Sequence, residues 1–145
     1  MKFNNNVKKL LFERPNSDSN TSAKTISIYK NKILLLKNKD NTYELPGGHI
    51  KKGEIPINGA KREFFEETGI KIDRLKLFKK SKNRLIYVAF LLNNNIKLSK
   101  EHIGFIFIPQ NKLNKIRLSN KARKDLNVLI NNIKDKKDEE LQDIL

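Results

Sequence analysis

The chain has no cysteine, which excludes disulfides and thiolate metal sites. It has no apolar run approaching the ~18–20 residues of a membrane span, so no membrane partner is expected. Met1 to Asn6 carry no apolar core of the kind a signal peptide needs, and a cytoplasmic location is the expectation. Acidic residues are scarce beside basic ones, 16 against 31, for a formal charge of +15. Such a surplus permits nucleic-acid binding. The lysines are scattered, however, and no basic run is interleaved with aromatics. The surplus is read as compositional drift in a chain rich in Lys, Asn and Ile, which would still steer phosphate-bearing ligands inward. Neither an internal repeat nor a linker divides the 145 residues, so one domain is expected over 1–145. Residues 1–21 would be a lead-in segment and 134–145 a charged, fraying tail.

What is present organises itself around Gly47 to Ile70. Pro56 suits a first helical position, where its missing N–H has no partner to lose. Gly69 suits the residue just past the helix end. Between them Ile57, Ala60 and Phe64 recur at helical spacing, one apolar stripe. Glu63, Glu66 and Glu67 stand at i, i+3 and i+4 and share the adjoining face. Like charges at that spacing destabilise a helix by roughly 0.2–0.5 kcal/mol per pair. Arg62, four before Glu66, offsets part of this, and a hard divalent cation would resolve the rest. A solvated acidic face is the ordinary alternative.

Around this helix the pattern reads as strands. Thr25 to Tyr29 alternates polar and apolar, as a half-buried strand does. Lys30-Asn31 is a tight turn into Lys32 to Lys37, whose centre, Ile33 to Leu36, is apolar throughout and so is expected to be buried on both faces. Lys39 to Asn41 turns again, and Thr42 to Leu45 is a short strand delivering Pro46-Gly47-Gly48. Lys71 to Lys80, Leu85 to Leu92 and Gly104 to Ile108 are the remaining strands, the last stopped by Pro109. Ser119 is a candidate N-cap for a second helix carrying Ala122, Leu126, Leu129 and Ile133. Strands, helix, strands, helix imply an α+β or α/β sandwich with a mixed sheet between two helices.

The stretch resembles the Nudix box, G-x5-E-x7-R-E-U-x-E-E-x-G-U with U bulky and apolar. Gly48, Glu54, Arg62, Glu63, Phe64, Glu66, Glu67, Gly69 and Ile70 all fall in register, and the order of elements extends the resemblance roughly from Ser22 to Ile130. The resemblance implies an α/β/α sandwich of the Nudix (MutT-like) type. It implies Mg²⁺ (or Mn²⁺) and hydrolysis of the pyrophosphate bond in a nucleoside diphosphate linked to another moiety, by water attack on phosphorus. ADP-ribose, a dinucleoside polyphosphate or an NTP would be the small-molecule substrate. Glu63, Glu66 and Glu67 are the implied metal ligands, with the Gly47 carbonyl beside them. Arg62 would orient the glutamates, and Glu54 would reach back toward the helix. Glu101 sits where the family often carries an extra acidic residue, as ligand or base, and the base itself stays open. His102 beside a strand is read as structural, with a substrate role as the lesser alternative, and His49 is assigned nothing. Gly59, where the family often has alanine, marks close packing or a tolerated weakness. Phe65 lies off the apolar stripe. Tyr29, Tyr43, Tyr87, Phe90 and Phe105 are core residues by default and base-stacking candidates otherwise. Two other readings stand beside the first: removal of RNA 5′ ends, recruited by the positive charge, or a non-catalytic Nudix module binding nucleotide or nucleic acid. A monomer or homodimer is expected.

Overall fold

In the computed structural model the described residues are 14–16 and 20–132; the expectations for most of 1–21, for Ile133 and for the 134–145 tail lie outside them. A seven-stranded sheet is built on β1 (Ser22–Tyr29) and β2 (Lys32–Lys37). Lys30 and Asn31 both take positive φ, 48° and 62°, the two-residue turn whose twist matches a hairpin. The hairpin closes only beside that turn, where Ile28 pairs with Ile33 and Tyr29 with Lys32. Farther on the two strands part, and the chain from 43 to 49 enters between them. β3 (Tyr43–Glu44) pairs with Leu36 and Lys37 of β2. β4 (Gly47–His49) pairs with Ser22 to Lys24 of β1. This wedge carries the glycine pair to the middle of the sheet.

After α1 (Pro56–Thr68) come β5 (Lys76–Ser81), β6 (Arg84–Phe90) and β7 (Gly104–Pro109). β6 runs parallel to β1 along its whole length, while β5 and β7 pair antiparallel with β6 and β2. A 3₁₀ turn (Gln110–Lys115) leads to α2 (Asn120–Asp125), and helical backbone resumes over 127–132. Ser119 caps α2, its side chain accepting from the Ala122 N–H at 3.1 Å.

The two helices cover opposite faces. Leu34, Leu36, Leu85, Tyr87 and Ala89 pack with Ala60 and Phe64 of α1. Ile33, Leu35, Ile86 and Ile108 pack with Ala122, Leu126 and Ile130 on the α2 side. β2 is thus buried on both faces, as its apolar run requires. Complete burial of a side chain such as Phe64 contributes roughly 1.5–3 kcal/mol.

Three expectations are corrected. β1 is no half-buried strand: Thr25 and Ser27 have no exposure, because β1 is a central strand with a covered face on either side. The strand expected from Lys71 begins only at Lys76, since Ile70, Ile72 and Leu75 fold over the sheet end beside Phe64 instead of pairing. The strand expected to reach Leu92 ends at Phe90, and Leu92 is exposed. β5 is an exposed edge protected by Lys76, Lys79 and Lys80 and by an irregularity between Leu77 and Lys79.

Candidate active site

α1 ends where Gly69, at φ 74°, donates its N–H to the Phe65 carbonyl. The helix lies against β4, and that contact decides where its carboxylates go. Gly47 has φ 141°, and a Cβ there would collide with the Ala23 carbonyl. Only glycine lets β4 press this close to β1. At Gly48 a Cβ would meet Glu63 Oε2 at 2.5 Å, and at Gly59 it would meet Glu54 Oε1 at 2.6 Å. Gly59 is therefore a point of close packing, which explains a helix-weakening residue at this place.

Arg62 gathers the acidic groups on one side. Its Nε and Nη2 donate to the two oxygens of Glu54 at 2.8 and 3.0 Å. Nη1 donates to Glu63 at 2.9 Å and to Glu66 at 3.2 Å, and Nη2 also reaches the His49 carbonyl at 3.1 Å. Glu54 takes a further bond from the Lys51 N–H at 3.0 Å. Its hydrogen bond to Arg62 holds the Glu54 carboxyl below its usual range, and in return the Arg62 pKa is raised.

Glu67 is different. It is buried, and its Oε2 accepts the Gly47 N–H at 3.1 Å. Burial pushes its carboxyl up to about 7, although Lys24 and the Gly47 N–H pull the other way. The Gly47 carbonyl is held by the buried Lys24 ammonium at 3.1 Å, which also lies 3.9 Å from Glu44. Glu44 in turn sits 2.8 Å from His102 Nε2. Burial alone would lower the His102 pKa, but the Glu44 hydrogen bond and the Glu67 charge outweigh it and raise it.

The three glutamates of the helix do not meet at one point. Glu66 is half exposed beside Arg62, Glu63 faces Gly48, and Glu67 points inward to Gly47. Among the described residues, the group able to bring ligand atoms within 4.8 Å of one another is Glu67, Glu101 and His102. These residues fit a divalent cation on two counts. Glu67 is a buried carboxylate with only a backbone N–H bonded to it, and His102 Nδ1 is buried with no hydrogen-bond partner. Both call for positive charge.

Lys24 and Glu44 carry no functional signal of their own in the sequence motif, and His102 is there read first as structural. A lysine inside a strand that proves central was the available signal for Lys24. Glu44 and His102, 58 positions apart, offered none. Of the aromatics, Tyr87 is buried in the core, Tyr29 and Tyr43 are partly buried against it, Phe105 is partly exposed and Phe90 largely exposed. Phe65 is exposed with the Lys71 ammonium over its ring, so its place off the stripe leaves it outside the core.

A family model described as NUDIX domain matches residues 20–126. The YtkD protein of Bacillus subtilis is 35% identical over 74 residues, which is 51% of this chain and 47% of that protein. An 8-oxo-dGTP diphosphatase of Buchnera aphidicola is 41% identical over 59 residues, covering 37% of this chain and 45% of the relative. The matched stretches thus span less than half of these curated relatives. A crystal structure of a MutT NUDIX hydrolase from Burkholderia pseudomallei superposes with a TM-score of 0.64 at 21% identity, over 76% of this chain and 97% of that one. At that identity the likeness concerns the fold.

Proposed function

Since the chain belongs to the NUDIX domain family, we propose that it is a divalent-metal-dependent hydrolase cutting the pyrophosphate bond of a small nucleotide derivative, by attack of water on phosphorus. The observation that carries this reading is the inward-facing Glu67 against Gly47, with Glu101 and His102 at its side. A bound cation supplies charge neutralisation on the phosphate oxygens and polarises the attacking water.

The rest is the work of the chain's own side chains. Glu63, Glu66, Glu67 and the Gly47 carbonyl are the proposed holders of Mg²⁺ or Mn²⁺. Lys24, whose ammonium now rests on the Gly47 oxygen, would have to move aside for that oxygen to hold a cation. Arg62 acts at one remove, tying Glu54, Glu63 and Glu66 into a fixed array. Glu101, exposed and on a loop, completes the ligand set or accepts the proton of the attacking water. The basic surface favours capture of a polyphosphate by steering.

The proposed substrates are NTPs and nucleoside diphosphates linked to another group, such as ADP-ribose or a dinucleoside polyphosphate. The name of the Buchnera aphidicola relative puts 8-oxo-dGTP first in the panel. The test is incubation with that panel and Mg²⁺ or Mn²⁺, with identification of the phosphates released. Hydrolysis of one member is expected, reduced roughly 100-fold by Glu66→Gln or Glu67→Gln, the scale seen when a transition-state charge stabiliser is removed. No hydrolysis of any member would overturn the reading.

A further inference from the structure

Resting on that reading of a cation site at Glu67, we infer that His102 gives the site a nitrogen ligand, Nδ1. Glu44 fixes the ring. Its Oε1 lies 2.8 Å from Nε2, and because an ionised carboxylate can only accept, Nε2 carries the hydrogen. In the neutral ring this leaves Nδ1 as a bare lone pair. The residue is 7% exposed, and Nδ1 has no hydrogen-bond partner among the described residues.

A ring nitrogen of His102 lies within 4.8 Å of carboxylate oxygens of both Glu67 and Glu101. With Nε2 committed to Glu44, Nδ1 is the nitrogen left to serve. A buried lone pair on a ring this close to two carboxylates calls for a cation, and a divalent ion would satisfy all three groups at once. Glu44 then holds the place of the outer carboxylate that fixes the tautomer of a metal-binding histidine and raises its basicity. Lys24 steadies Glu44 from the other side.

The chemical consequence is metal choice. Mg²⁺ takes oxygen ligands and keeps its waters, whereas imidazole suits transition metals. A site of carboxylates plus Nδ1 favours Mn²⁺ over Mg²⁺. The competing state is an imidazolium paired with Glu44, and a metal would have to displace the ring's Nδ1 proton.

The experiment uses untagged protein titrated with Mn²⁺ and observed by electron spin-echo modulation, which detects nitrogen bound directly to manganese. The chain has two histidines, His49 and His102. Bound-nitrogen modulation is expected in the wild type, retained in His49→Gln and lost in His102→Gln. His102→Gln should also weaken Mn²⁺ binding roughly tenfold or more, the scale of perturbing a metal's ligand environment, and Mg²⁺ binding much less. Saturable Mn²⁺ binding without a nitrogen signal, or a signal that survives His102→Gln, overturns the His102 assignment and leaves the cation site intact. Absence of any saturable Mn²⁺ binding overturns the cation site itself. Should His102→Gln not fold, the wild-type and His49→Gln spectra decide the matter, because no third histidine exists.

Discussion

Asp125 and Glu67 are buried to nearly the same degree, 3% and 4% exposed, on opposite faces of one sheet. Asp125 accepts from Arg84 Nε and Nη2, side by side on one guanidinium edge, at 2.6 and 2.7 Å, and so ties α2 to β6. Glu67 receives one backbone N–H at 3.1 Å, and burial pushes its carboxyl up to about 7. A buried charge met by a bidentate partner is a structural tie. One left short of positive charge is suited to take a cation or a proton. On the proposed function the α2 face is the scaffold and the α1 face the working side.

The contrast can be broken from either side. The largest expected effect is on the working side: Glu67→Gln lowers kcat/KM on whichever nucleotide is cleaved by roughly 100- to 1,000-fold, about 3–4 kcal/mol of barrier. Its melting temperature holds or rises, because a buried charge has been removed. On the scaffold side, Arg84→Met leaves Asp125 buried without its cation and costs about 3 kcal/mol of stability in denaturant titration. Activity per folded molecule stays within about twofold of wild type, and adding Asp125→Leu restores most of the loss.

A smaller effect separates the two acids by pH. The Glu67 carboxyl titrates near 7 in the fold against 4.5 as its ordinary value. A raised acid stabilises fully below its unfolded value, and that contribution is lost as pH climbs through the folded one. The metal-free wild type should thus gain stability relative to Glu67→Gln as pH falls from about 7 toward 4.5, on the order of 2 kcal/mol. Saturating Mn²⁺ should abolish the gain, as binding to the ionised form holds the proton off. The smallest effect is Ser119→Ala, about 1 kcal/mol for a lost N-cap, with kcat/KM unchanged.

Much of the fold was legible because its signals are local. The helix from Pro56 to Gly69, the turn at Lys30-Asn31 and the doubly buried β2 each follow from neighbouring residues. The Ser119 cap is a three-residue signal and was found as such. The segment from Lys71 reads as strand too early because apolar Ile72 and Leu75 look the same whether they face a paired strand or pack over a sheet end. Thr25 and Ser27 misled because their polarity says nothing about a helix arriving from elsewhere in the chain.

By itself the sequence determined the acidic helix and its glycine-flanked approach, since spacing along 3.6 residues per turn places Glu63, Glu66 and Glu67 on adjoining faces whatever surrounds them. Tertiary structure alone decided which of them turns inward. It also decided that Lys24, Glu44 and His102 from three separated segments meet there. That meeting depends on β1 and β2 parting to admit β3 and β4, a register set by packing on both sheet faces and by no local rule.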